Sequence, residues 1–184
     1  GAQLPGQLYA SVGSDNLEGG RLATAHLIAR GSRRIAFLGD PELPEFGLRH
    51  QGYRLALEAA GLPVDKRLTR PVPVVGEPVE QAVEALLRMR PAADAIFAVS
   101  DLMAMATVGV LRRLGRRVPE DVRVVGYDDI ALAAHVDPPL TTVRQPFDQA
   151  GRALVDALLA QLDGARPESV LLATQLIVRD STRG

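Results

Sequence analysis

Short β-branched runs alternate with longer stretches of helical period along almost the whole chain. Period-2 or continuous apolar runs predict strands at 8–12, 34–38, 72–75, 95–99, 122–126, 141–143 and 170–178. The intervening apolar stripes predict helices at 17–30, 48–60, 79–89, 102–114 and 147–162, with a short one at 130–135. Gly31, Gly61, Gly115 and Gly164 fall just past four of these helices, where a left-handed cap is needed. Strands joined through single helices need right-handed crossovers, which build a parallel sheet covered on both faces. The expected fold class is α/β, a doubly wound parallel sheet.

Two helices carry more apolar surface than one sheet face uses. In residues 102–111 Thr107 is the only polar side chain, and a helix apolar on every side must be buried on every side. A second subunit or an overlying part of the same chain would serve. The helix at 147–162 has a stripe of Phe147, Ala150, Leu154, Leu158 and Leu162, flanked by Val155 and Leu159, and calls for a large apolar partner.

Composition narrows the function classes. With 21 Lys and Arg against 22 Asp and Glu, the net charge is −1 and the basic residues are scattered among acids, which makes this stretch a poor candidate for a nucleic-acid surface. Cysteine is absent, which removes disulfides and thiolate metal sites and fits a reducing cytoplasm. No apolar run approaches the ~20 residues of a membrane span. Catalytic signatures are missing too: the sequence has no nucleophile elbow, zinc helix or phosphate loop. His26, His50 and His135 share no metal-like spacing and read as surface or packing residues. Neither an enzyme nor a bound cofactor or metal is expected.

What remains is a set of polar groups after successive strands: Asp40, then Ser100-Asp101, then Asp128-Asp129. A parallel sheet puts these along one edge, where such folds bind ligands. Arg49 opens the helix after Asp40 and could supply a fixed fork of donors to a hydroxyl-rich ligand, while the carboxylates accept from its hydroxyls. Each has a plainer role open to it. Ser100 can cap a helix, Asp101 can favour its dipole, Asp128 and Asp129 can turn the chain, and Arg49 can pair with Asp40 or Asp128.

The order of motifs resembles the lactose-repressor (LacI) family of transcription regulators, from about residue 12 to residue 179. It rests on Val12-Gly13-Ser14-Asp15-Asn16 with Gly19, Gly20 and Ala23, and on His26-Leu27-Ile28 with Gly31 and the run 33–39. Arg49 with Gly52-Tyr53, Ala95-Ile96-Phe97-Ala98, Ser100-Asp101-Leu102-Met103-Ala104 and Val118-Pro119-Glu120-Asp121-Val122 follow. Val124-Val125-Gly126-Tyr127-Asp128-Asp129, Leu140-Thr141-Thr142-Val143-Arg144-Gln145-Pro146 and Leu176-Ile177-Val178-Arg179-Asp180-Ser181 complete it.

The resemblance implies a two-lobed, periplasmic-binding-protein-like architecture with a small effector between the lobes. Residues 15–144 would form the C-terminal effector-binding lobe and 1–14 a remnant of the N-terminal lobe. Residues 145–165 would be a crossover with an N-terminal-lobe helix, and 166–184 the return strand and C-terminus. It also implies effector contacts at Arg49, Ser100, Asp128, Glu45, Gln145 and Phe147, with the effector a sugar or sugar derivative. A homodimer contact would involve Met103, Met105 or Val110. Operator DNA would be reached only through a helix-turn-helix that this stretch does not contain. Family members that stack an aromatic ring on the ligand carry it near Val74 or Val75, where this chain has none. The competing function is an exported solute-binding protein of the same fold.

Overall fold

A computed structural model describes residues 10–73 and 77–183. Its main sheet contains β2 (Ile35–Leu38), β3 (Thr69–Arg70), β4 (Ala95–Ala98), β5 (Arg123–Asp128), β6 (Thr141–Arg144) and β8 (Gln175–Ile177), in the order β3-β2-β4-β5-β6-β8. All neighbours are parallel except β6 and β8, which run antiparallel. Helices α1 (Asn16–Ala29) and α2 (Pro44–Ala59) pack on each other on one side, and α3 (Glu77–Arg88) and α4 (Asp101–Arg113) on the other. The doubly wound α/β expectation holds. Strands β2 and β4 are fully buried, as continuous apolar runs covered on both faces should be.

A second, two-stranded parallel sheet pairs β1 (Val12–Ser14) with β7 (Val170–Leu172), and α5 (Phe147–Leu162) packs on it. The chain passes between this small unit and the main sheet three times, at 14–16, 144–147 and 172–175. Backbone bonds tie two passages together, Asp15 N donating to the Leu172 carbonyl at 2.8 Å.

Several sequence expectations need correction. The run 170–178 is two strands in two different sheets, broken at Ala173-Thr174, because its apolar pattern says nothing about which neighbour each half pairs with. The strand expected at 72–75 is displaced upstream to Thr69–Arg70; Val72 is buried outside it, and Val74 and Val75 lie outside the described residues. The first strand begins at Val12 rather than continuing 8–12, with 8–9 outside the described residues.

The apolar character of α4 is consumed largely within this chain. Met103 and Val110 are 0% and 3% exposed, packed in the core, so neither is available to touch a second subunit. Positions 103, 107, 110 and 111 share the inward face at helical spacing, and Thr107 is tolerated there because its hydroxyl donates to the Met103 carbonyl at 2.8 Å. Met105 is half-buried and Leu102 is exposed on the outer side.

Candidate functional site

The strand order reverses direction between β2 and β4, since β3 lies to one side of β2 and β4 to the other. A crevice outside the carboxyl ends of strands forms at such a switch point. Arg49, from α2, lies along the same carboxyl edge, at the ends of β4 and β5. Its Nε donates to Asn16 Oδ1 at 2.8 Å, its Nη1 donates to the Val99 carbonyl, and its guanidinium carbon stands 3.7 Å above the Tyr127 ring. The contact with Val99 sits one residue before Ser100, and that with Tyr127 one residue before Asp128. Arg49 makes no ion pair among the described residues, so the pairing with Asp40 or Asp128 open to it from sequence is not how it is held. Burial pulls its pKa down, against the favourable fields of Tyr127, Asp128 and Glu45.

Close backbone packing makes this placement. A Cβ at Gly20 would collide with the Arg49 carbonyl, and one at Gly52 with the Leu17 carbonyl. These two glycines let α1 and α2 approach until Asn16 reaches the guanidinium.

The acidic cluster is more differentiated than its sequence suggests. Asp128 ends β5 and accepts from Gln145 Nε2 at 2.7 Å; burial pushes its carboxyl up, opposed by Gln145 and Arg49. Asp129 is clamped between two guanidinium groups, Arg144 Nε and Arg179 Nη2, each at 2.6 Å. Burial alone would raise its pKa, but the bonds from Arg179 and Arg144 outweigh that and hold it low. Both aspartates turn the chain at positive φ, 113° and 56°, conformations uncommon for any residue with a Cβ. Asp101 is 0% exposed; it accepts from the Thr142 hydroxyl at 2.6 Å and from Ile130 N at 2.9 Å. Gly126 makes the room, since a Cβ there would overlap Asp101 Oδ1.

The predicted site residues fall into two groups. Asp128, Gln145 and Phe147 line one open cavity of about 420 Å³ together with Arg144, Asp148 and Gln175. Arg49 and Ser100 lie along the same edge but not on that cavity. Ser100 caps α4, its oxygen accepting from Met103 N at 3.3 Å. Glu45 is exposed in the first turn of α2, and Phe147 is 59% exposed at the start of α5. Sequence reasoning missed the structural role of Asn16, the burial of Asp101 and the Arg144–Asp129–Arg179 clamp. The histidines do sit in packing or surface positions: His50 against Phe37 and Tyr53, His26 against Thr182, and His135 exposed. Among the described residues no group of three or more His, Cys, Asp or Glu could hold a metal ion. No helix among them is long and apolar enough to cross a membrane.

A doubly wound lobe with its polar edge facing a small second unit, joined by three passages, defines a ligand-binding lobe of the periplasmic-binding-protein kind. The periplasmic binding protein-like domain family matches residues 24–182. The regulator CelR of Thermobifida fusca, an HTH-type transcriptional regulator, is 44% identical over 181 residues, covering 97% of this chain and 53% of that protein. A solved CelR–cellobiose complex has a TM-score of 0.90 at 43% identity over 97% of this chain and 55% of its own. A LacI-family regulatory protein from Chloroflexus aggregans reaches 0.92 at 33% identity, covering 98% of this chain and 66% of its own. The chain therefore belongs to the LacI family of transcription regulators, in its periplasmic-binding-protein-like region. It spans about half the length of the CelR sequence it matches.

Proposed function

We propose that this chain is the effector-sensing and dimerising region of a bacterial repressor that responds to a small hydroxyl-rich ligand, a sugar or sugar derivative. On this reading 15–144 is the effector-binding lobe, and 1–14, 145–165 and 166–184 belong to or lead through the second lobe. The rest of that lobe and the DNA-reading helix-turn-helix lie outside these residues. The observation that carries the proposal is the likeness to CelR, whose solved complex holds cellobiose, over nearly the whole of this chain. The polar edge suits such a ligand. Asp128 offers acceptor oxygens, Gln145 an amide, Arg49 a guanidinium fixed in orientation, and the Ser100 hydroxyl keeps its proton for a ligand acceptor. Phe147 lines the same cavity, and the Glu45 carboxylate lies close enough to Arg49 to favour its charge. Dimerisation would use the outer face of α4, through Leu102 and Met105. The relatives are regulators rather than carriers, which favours this reading over an exported binding protein.

Calorimetry on the full-length protein tests the site, with cellobiose as the first ligand. Asp128→Ala and Arg49→Ala should each weaken binding by about 1–3 kcal/mol, since each leaves ligand hydroxyls without a partner. Wild-type affinity in both variants rejects the site. Binding of a different sugar with the same sensitivity corrects only the ligand.

A further inference from the structure

We propose that Asn16 is a positioning residue for effector binding: it fixes the Arg49 guanidinium at the carboxyl edge of the main sheet and ties it to the first passage between the two units. The proposal rests on the reading of Arg49 as an effector contact. Asn16 is 4% exposed and uses both ends of its amide. Its Oδ1 accepts from Arg49 Nε at 2.8 Å, and its Nδ2 donates to the Ser14 carbonyl at 3.3 Å. Ser14 ends β1 in the small sheet, while Asn16 opens α1 on the main one. One side chain thus joins the passage at 14–16 to a cation 33 residues on.

Of the groups holding Arg49, the Val99 carbonyl and the Tyr127 ring both belong to strand ends of the main sheet. Asn16 alone among them stands at a passage. Its position is also enforced rather than fortuitous. The Gly20–Arg49 and Gly52–Leu17 contacts leave no room for a Cβ, so α1 and α2 lie backbone against backbone where Asn16 meets Arg49. An arginine is long and rotamer-rich, and an anchored Nε removes much of the freedom that ligand binding would otherwise have to freeze.

The two bonds can be separated chemically. Asn16→Leu removes both while keeping the branched shape and the number of heavy atoms. Asn16→Asp keeps an acceptor for Arg49 Nε but loses the donor to Ser14. Crystal structures and cellobiose titrations of the full-length wild type and both variants give two independent readouts. In Asn16→Leu the guanidinium should leave the Tyr127 face and affinity should fall about tenfold. In Asn16→Asp the guanidinium should stay and affinity should return to within about threefold of wild type. An unmoved Arg49 in Asn16→Leu overturns the proposal, as does unchanged affinity despite a displaced Arg49. Should Asn16→Leu misfold, Asn16→Ser, too short to reach Nε, replaces it with the same expectations. If wild type does not bind cellobiose, that ligand assignment fails, and the position of Arg49 in the variants still decides whether Asn16 holds it.

Discussion

Asp101 is a carboxylate with no exposed surface at the start of α4, and burial raises its pKa to about 6. Bonds from Thr142 and Ile130 oppose that rise, and the fields of Asp128 and Asp129 add to it. Below the ordinary value near 3.8 the group is protonated in both folded and unfolded states and adds no pH dependence. Between there and about 6 the folded state holds a proton that the unfolded state has released, so stability falls as pH rises; above about 6 the full cost remains. The gap corresponds to roughly 3 kcal/mol. Urea unfolding of wild type and Asp101→Asn at pH 4 and pH 7 should show the variant gaining about 2–3 kcal/mol on wild type over that interval. Parallel pH profiles would remove Asp101 as the source. At this scale the sequence revealed residue types and a shared edge, because strand ends are where carboxylates stand out against apolar runs. It could not reveal that Asp101 faces inward, since that depends on the missing side chain of Gly126, one strand away. Nor could it reveal that Asn16 meets Arg49, which depends on how closely two helices approach.

Secondary-structure elements were legible where periodicity and caps agreed. Helix α4 is opened by Ser100 and closed before Gly115, as its sequence suggests. What periodicity could not say is which side of an all-apolar helix turns inward, the side that Met103 and Val110 occupy. The same ambiguity hid the division of 170–178 between two sheets. On α4 the large apolar side chains left on the outer side are Leu102, 49% exposed, and half-buried Met105. If the proposed dimer forms across them, Met105→Glu puts a charge where its partner copy would have to desolvate it, a change worth several kcal/mol at a two-fold contact that repeats it. Light scattering should then report a monomer, with the circular dichroism of wild type. A variant that remains dimeric moves the interface elsewhere.

At the scale of the molecule, balanced charge and the exposed apolar face of the small unit govern behaviour. With a net charge of −1 and basic residues scattered among acids, these 184 residues should show no sequence-specific binding to the promoter of their own gene at ordinary salt. A tight, specific gel shift by this chain alone would contradict that. The small unit makes the stronger demand. No residue of α5 is buried, and Leu154, Leu158 and Leu162 are 51%, 57% and 74% exposed; β7 adds Leu171. Among the described residues the helix packs chiefly on β1 and β7 rather than on the main sheet. Burying a fully exposed side chain of this kind is worth roughly 1.5–3 kcal/mol, and these still have more than half of that to gain, so the face is a strong drive toward any apolar partner. For these 184 residues in isolation the available partner is another copy. Sedimentation at increasing concentration should show self-association beyond the proposed α4 dimer, which Leu154→Lys/Leu158→Lys suppresses and Met105→Glu leaves in place. If, as proposed, a longer protein carries the rest of a second lobe over this face, there the double substitution should cost stability instead of changing association state. If the isolated chain stays monomeric throughout, or the double substitution leaves its association unchanged, the α5 face is not what drives assembly.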